Sequence, residues 1–174
     1  PKQQIACTRS FGRPVTDLAP LMEAVSEFAS RAAEKLRKQD SLAGELLVFM
    51  HTSPHRTGPQ LSKSVTVPLR RPTADSRVLA KAAADGMRFM YVPGFQLVKA
   101  GVFLMELQPA SVQQGELELE PEVGRDHTRL MAAMDALNGR FGKGSLHVGS
   151  TGLQGTTRTW GMRQERRTPQ YTTR

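Results

Sequence analysis

Between Asp17 and Asp40 apolar residues recur at Leu18, Leu21, Met22, Val25, Phe28, Ala29, Ala32 and Leu36. That three-and-four spacing predicts one buried face of an α-helix. Asp17 can cap it, and Pro20 is tolerated in its first turn. Glu27 with Arg31, and Glu34 with Lys38, stand four apart on the wet face. A second stripe, Leu79, Ala82, Ala83, Met87 and Met90, runs through residues 75–90 behind Asp75 as cap.

Four stretches carry strand patterns. Gln4 to Phe11 opens the chain and runs into Ser10, Phe11 and Gly12 flanked by Arg9 and Arg13. Gly44 to Pro54 is a largely apolar run, the mark of a buried strand. In Lys63 to Thr73, Val65, Val67 and Leu69 alternate with Ser64, Thr66 and Arg70, giving one apolar and one polar face. Pro68 cannot donate to a ladder there, so it implies a bulge or a strand end. Lys99 to Leu107 is the fourth strand. The order β-α-β-β-α-β predicts an α+β fold of the split-βαβ kind: a four-stranded sheet with two helices on one face. The other face then has no helix to cover it. With hydroxyl and basic residues on it, that face suits a nucleic-acid duplex.

The character changes after Leu107. Residues 108–126 are rich in Gln and Glu, carry Pro109 and Pro121, and read as a linker between a domain at 1–107 and a small unit at 127–174. A third helix is expected over 127–139, with Leu130, Met131, Met134 and Leu137 as a core-facing stripe and Asn138-Gly139 as its stop. Glycines then surround a short expected strand, Ser145 to Val148. The end is basic, with Arg158, Arg163, Arg166, Arg167 and Arg174 against Glu165.

Charge sharpens this picture. The 174 residues hold 24 Lys and Arg against 16 Asp and Glu, a net +8 with an isoelectric point near 10.3. Such an excess points to a polyanionic partner, most simply nucleic acid. The lone Cys7 excludes an internal disulfide, and no apolar run is long enough to span a bilayer. The chain opens at Pro1 without Met and reads as a piece of something longer.

Candidate chemistry is thin. His51 and His55 could share a metal only on a helix, and Pro54 between them argues against one. Cys7 inside a strand reads as a small buried residue. Phe141 to Ser145, FGKGS, echoes a phosphate loop. However, Gly144 follows Lys143 where Ser or Thr is needed, and Leu137 stands where the first glycine belongs. No pair of acids has the look of a two-metal site. The basic residues Arg9, Arg56, Lys63, Arg70 and Arg71 lie in or beside strands and loops. Gathered on one face, they would bind phosphate without sequence choice.

The stretches QIACTRSFG, FASRAAEKLR, FMHTSP, DSR before the second helix, KAGV, MDALN and TPQYTTR, in this order from Lys2 to Arg174, resemble the C-terminal part of UmuC-type proteins. These are the catalytic subunits of bacterial DNA polymerase V, in the Y family of translesion polymerases. The resemblance implies a little finger, or polymerase-associated domain, followed by a UmuC-type C-terminal extension. It implies that the open sheet lies on primer–template backbone in the major groove during SOS lesion bypass. Arg9 and Ser10 would donate to phosphate and Gly12 would allow close approach, with Arg56, Lys63, Ser64, Thr66 and Arg70 completing the DNA surface. The carboxylates that hold magnesium would belong to a preceding catalytic part, so this segment alone has no cofactor and no polymerase activity. A UmuD-type accessory subunit, RecA and a β-sliding clamp are the implied partners, in the cytoplasm and without a membrane. Relatives carry a clamp motif of Gln, Leu and a terminal Phe after the fourth strand. Here QGELEL keeps Gln114, Leu117 and Leu119 but lacks the aromatic and adds Glu116 and Glu118. Two other classes stay open. One is a protein-docking module working through the linker and third helix. The other is a single-stranded RNA binder of the same topology, a class that places stacking aromatics on its two middle strands in a Lys/Arg-Gly-Phe/Tyr pattern, absent here.

Overall fold

The computed structural model describes residues 2–112, 127–152 and 158–162. Four strands, β1 (Ile5–Val15), β2 (Ser41–Thr52), β3 (Ser62–Thr73) and β4 (Leu97–Pro109), form one sheet in the order β1-β4-β2-β3, every neighbour antiparallel. Helices α1 (Leu18–Lys38) and α2 (Ser76–Met90) connect β1 to β2 and β3 to β4. Each β-α-β unit is split by a strand of the other: β4 lies between β1 and β2, and β2 between β3 and β4.

The helical stripes do what their spacing predicts. Leu21, Val25, Phe28, Ala29, Ala32 and Leu36 of α1, with Leu79, Ala83 and Met87 of α2, are fully buried. They cover the sheet face that carries Leu46, Val48, Met50, Val102 and Leu104. Burying one such large aliphatic side chain contributes about 1.5–3 kcal/mol. Asp75 caps α2 as expected, its carboxylate accepting from the Arg77 amide at 2.8 Å. Asp17 precedes α1 but makes no side-chain cap; its carboxylate accepts a long 3.4 Å bond from the Thr16 hydroxyl instead.

Three strands differ in extent from the sequence pattern. β1 does not stop at the Ser10–Gly12 cluster. Its register with β4 breaks between Ser10 and Val15, and the strand resumes because Phe11 and Val15 are both buried. β2 starts early and β4 runs late, since Ser41 and Ala43 pair with Pro109 and Leu107. Pro68 sits on β3, an edge strand, opposite Glu45, and the register with β2 shifts immediately beyond it. An edge bulge is where a proline in a strand belongs.

The region after β4 does not form a separate core among the described residues. Helix α3 (Thr128–Phe141) runs through Gly139 and ends at Gly142, whose φ of +102° glycine adopts without strain. Only Met131 of its stripe is buried; Leu130 and Leu137 remain 46% and 42% exposed, so the stripe is not a core face. The helix is tied down by a fork: the Arg37 guanidinium donates to both carboxylate oxygens of Asp135 at 2.6 and 2.7 Å. The expected strand at Ser145–Val148 is absent. Its backbone is taken by the Asn138 side chain, which accepts from the Leu146 amide and donates to the Leu146 carbonyl, both at 2.8 Å. A short 3₁₀ turn, Gly149–Thr151, follows. Trp160 then inserts into the main core, 2% exposed and edge-on to Phe28 at 5.7 Å. Beside it the Gly12 amide donates to the Gly161 carbonyl at 3.0 Å.

Candidate nucleic-acid interface

The sheet register decides which side chains share the uncovered face. Directly paired residues of an antiparallel sheet point to the same side. The row Arg9, Ala100, Met50 and Lys63 contains two fully buried core residues, so it faces the helices. The rows on either side of it alternate. Ser10–Lys99–His51–Ser62, Thr8–Gly101–Phe49–Ser64 and Ala6–Phe103–Leu47–Thr66 therefore lie on the open face.

This face has a pattern across its width. The edge strand β1 contributes the hydroxyls of Thr8 and Ser10; the opposite edge, β3, contributes those of Ser62, Ser64 and Thr66. Between these two rails lies an apolar floor. The Phe49 ring packs on Phe103 at 5.7 Å and stacks with His51 at 6.1 Å. Gly101 makes the floor flat: a Cβ there would collide with the Phe49 ring and the Thr8 methyl, so Phe49 lies across bare β4 backbone. Lys99 and His51 place basic groups at one end of the floor. Three interstrand gaps of about 4.8 Å set the rails roughly 14 Å apart. The major groove of B-DNA is about 12 Å wide.

The expected contact residues are only partly brought together. Ser10, Ser64 and Thr66 share the open face. Arg9 and Lys63 do not, because each is one residue out of phase with it. The Gly12 amide is engaged by Gly161. Arg56 stands in the exposed loop between β2 and β3, where its backbone carbonyl accepts from Gln60. Arg70 is exposed beyond Pro68, next to Leu69, which packs on the core. The clamp-type residues Gln114, Leu117 and Leu119 lie outside the described residues. Thr8, Lys99, His51 and Ser62 join the face although none of them is expected from the sequence as a DNA contact. The cross-strand register that unites them is invisible until β4 is placed between β1 and β2.

No group of three or more His, Cys, Asp or Glu side chains is arranged to hold a metal among the described residues. His51 Nδ1 lies 2.9 Å from the Thr52 carbonyl oxygen. Burial pushes the Cys7 thiol above its ordinary pKa, with Lys35, Arg31 and Arg9 pulling the other way. A half-buried protonated thiol is a poor nucleophile. No helix of the described residues is long and apolar enough to cross a membrane.

Residues 2–117 match the impB/mucB/samB family C-terminal domain, and residues 128–174 match a domain of unknown function. Protein UmuC of Salmonella typhimurium is 37% identical over 99% of this chain. Protein ImpB of the same organism and protein MucB of Escherichia coli are each 35% identical over 99% of it. The chain spans 40% of the length of these relatives. The solved insertion ternary complex of Dbh DNA polymerase superposes with a TM-score of 0.48 at 12% identity, over 59% of this chain and 28% of that one.

Proposed function

The chain belongs to the impB/mucB/samB family, and from that premise we propose that it is the DNA-gripping, non-catalytic C-terminal part of an error-prone translesion polymerase. In this reading the open sheet straddles the major groove of primer–template DNA. The two hydroxyl rails donate to the phosphates of the two strands while the apolar floor spans the groove between them. The observation that carries it is the pairing of those rails across a flat floor, on the sheet face that no helix of the described residues covers, in a chain of net charge +8. Phosphate contacts of this kind position a protein without reading sequence, which suits a polymerase that must follow any template.

The rest of the assignment concerns the longer protein. Its magnesium-binding carboxylates would lie in a preceding catalytic part, and it would act in SOS lesion bypass in the cytoplasm. A UmuD-type subunit and RecA would be its partners, with a β-sliding clamp engaged through Gln114, Leu117 and Leu119.

The test is fluorescence anisotropy of a labelled primer–template against the 174-residue chain. Affinity should be indifferent to sequence and fall linearly in log–log form with salt, by a slope of about 0.9 per phosphate neutralised. Ser10→Glu together with Ser64→Glu, one on each rail, should weaken binding by about tenfold or more while leaving the thermal midpoint in place. Unchanged affinity in that folded variant overturns the reading. One observation favours a single-strand binder as the second reading: Phe49 and Phe103 stand on the two middle strands, where unpaired bases could stack. Tighter binding of single-stranded RNA than of duplex would decide for it.

A further inference from the structure

On the helix side of the sheet, a groove of about 530 Å³ runs between the outer edge of β1, helix α1, and the segment formed by α3 and the loop after it. We propose that this groove takes an extended acidic peptide of a partner protein, added to β1 as a fifth strand.

The first ground is the edge itself. β1 has β4 on one side and, among the described residues, no strand on the other. Lys35 Nζ reaches the Ala6 carbonyl at 3.4 Å, so that carbonyl points outward into the groove. Within a strand the N–H and C=O of one residue point the same way and successive residues alternate. Ala6, Thr8 and Ser10 therefore present alternating donors and acceptors along the open edge. The edge already accepts main chain at its far end, where Gly12 pairs with Gly161 at 3.0 Å.

Charge is the second ground. The three acids lining the groove are each matched: Glu27 with Arg31, Glu34 with Lys38 and Asp135 with Arg37, all at 2.6 Å. Arg9, Lys35 and Lys143 line it too and have no carboxylate within ion-pair distance among the described residues. A strand added to β1 turns every second side chain toward the helix side, where Arg9 points. The groove thus selects acidic residues at alternate positions. A nucleic acid fits less well, because the outward carbonyls of β1 would face phosphate oxygens, whereas a peptide brings N–H groups to them. This site shares the β1 edge with the hydroxyl-railed face but lies on the opposite, helix side of the sheet.

The experiment uses the full 174-residue chain and a fluorescein-labelled alternating Glu-Val peptide of about eight residues. Controls are the same peptide with alternate backbone amides N-methylated, and oligothymidine of equal charge. Cys7, the chain's one cysteine, lines the groove; its thiol is slow to react, so its alkylation is followed at alkaline pH, where the rate reports occupancy. Expected are saturable binding, slowed Cys7 alkylation, and loss of about tenfold in affinity on N-methylation or in Lys143→Glu. Ala6→Pro, which deletes an outward donor on an edge where proline is tolerated, should weaken binding with an unchanged melting curve. If that variant fails to fold, the N-methylated peptide asks the same question. Absence of binding, absence of Cys7 protection, equal binding of the N-methylated peptide, or displacement by oligothymidine at equal charge overturns the proposal. Ser64→Glu with Thr66→Glu, both on the β3 rail at the opposite edge of the sheet, separates it from the DNA reading, since it should weaken primer–template binding and leave peptide affinity unchanged.

Discussion

Replacing Trp160 with Ala tests whether the C-terminal segment belongs to the core it touches. The indole is 2% exposed and meets Phe28 edge-on at 5.7 Å. The Arg158 guanidinium lies 4.8 Å above it, itself 3.7 Å from Glu27. Burying about 200 Å² of aromatic surface at about 25 cal/mol per Å² gives an upper limit near 5 kcal/mol. The edge-on pair adds about 1 kcal/mol. Against this, the indole N–H is buried with no hydrogen-bond partner among the described residues, a cost of about 1–3 kcal/mol. The net expectation for Trp160→Ala is a loss of about 3 kcal/mol, or a fall in melting temperature of roughly 6–12 °C for a chain this size. Trp160→Phe keeps an aromatic edge for Phe28 and removes the stranded donor, so it should cost less than half as much. Urea denaturation followed by far-ultraviolet circular dichroism measures both. Trp160 is the only tryptophan, so its fluorescence reports docking of this segment directly. In the unsubstituted chain the fluorescence and dichroism transitions should coincide. A fluorescence change at clearly lower urea, with a loss under 1 kcal/mol in Trp160→Ala, would show that the segment rests on the core without being part of it.

Three further outcomes are expected. Arg37 bonds Asp135 twice and also the Ala74 carbonyl at 2.7 Å and the Ser76 hydroxyl at 3.0 Å; Arg37→Ala should therefore cost about 3 kcal/mol and Asp135→Asn about 1 kcal/mol in urea denaturation, and equal losses would contradict the geometry. Gly101→Ala puts a methyl group into the Phe49 ring and should cost about 1–3 kcal/mol while weakening primer–template binding, so wild-type values for both would show that the floor is not packed as described. Asp75 is pulled upward by burial, but the hydrogen bonds and charge of Arg77 outweigh this and hold its carboxyl below the ordinary range. Its stabilisation is thus complete above the ordinary carboxyl value of about 4 and is lost as pH falls through its own lower value. The stability gap between wild type and Asp75→Asn should shrink over that acid window in a pH series of thermal melts, and a constant gap would refute the assignment.

The helices were legible because a stripe such as Leu21, Val25, Phe28, Ala32 and Leu36 has no other way to be buried. Strand existence was legible for a similar reason, in the alternation of Val65, Val67 and Leu69. Strand extent was not. The β1 bulge and the continuation to Val15 depend on what Phe11 and Val15 meet in three dimensions. Arg9 and Ser10 show the sharpest limit: they are adjacent in sequence and both polar, yet one residue of phase in a strand sends them to opposite faces. The Leu130–Leu137 stripe looked like core because periodicity records amphipathicity, not whether a partner face exists to cover it. Trp160 gives no periodic signal, with Met162 the one apolar side chain close to it in sequence, and its burial comes from a long-range contact with Phe28.

The interleaved strand order governs how this molecule comes into being. The β2–β3 pair is local and can close early, but β1 has no neighbour until β4 arrives, since Ile5 pairs with Leu104. Closing a loop on the order of a hundred residues costs roughly 4 kcal/mol before any contact compensates, so that step is the slow one. On a ribosome the first strand waits, its partner unsynthesised, until Pro109 has cleared the exit. Every row of the open face crosses all four strands, so a nascent or truncated chain that lacks β4 has no such surface. Affinity for a polyanion would then switch on with the completion of folding, and premature products would be released without competing for it.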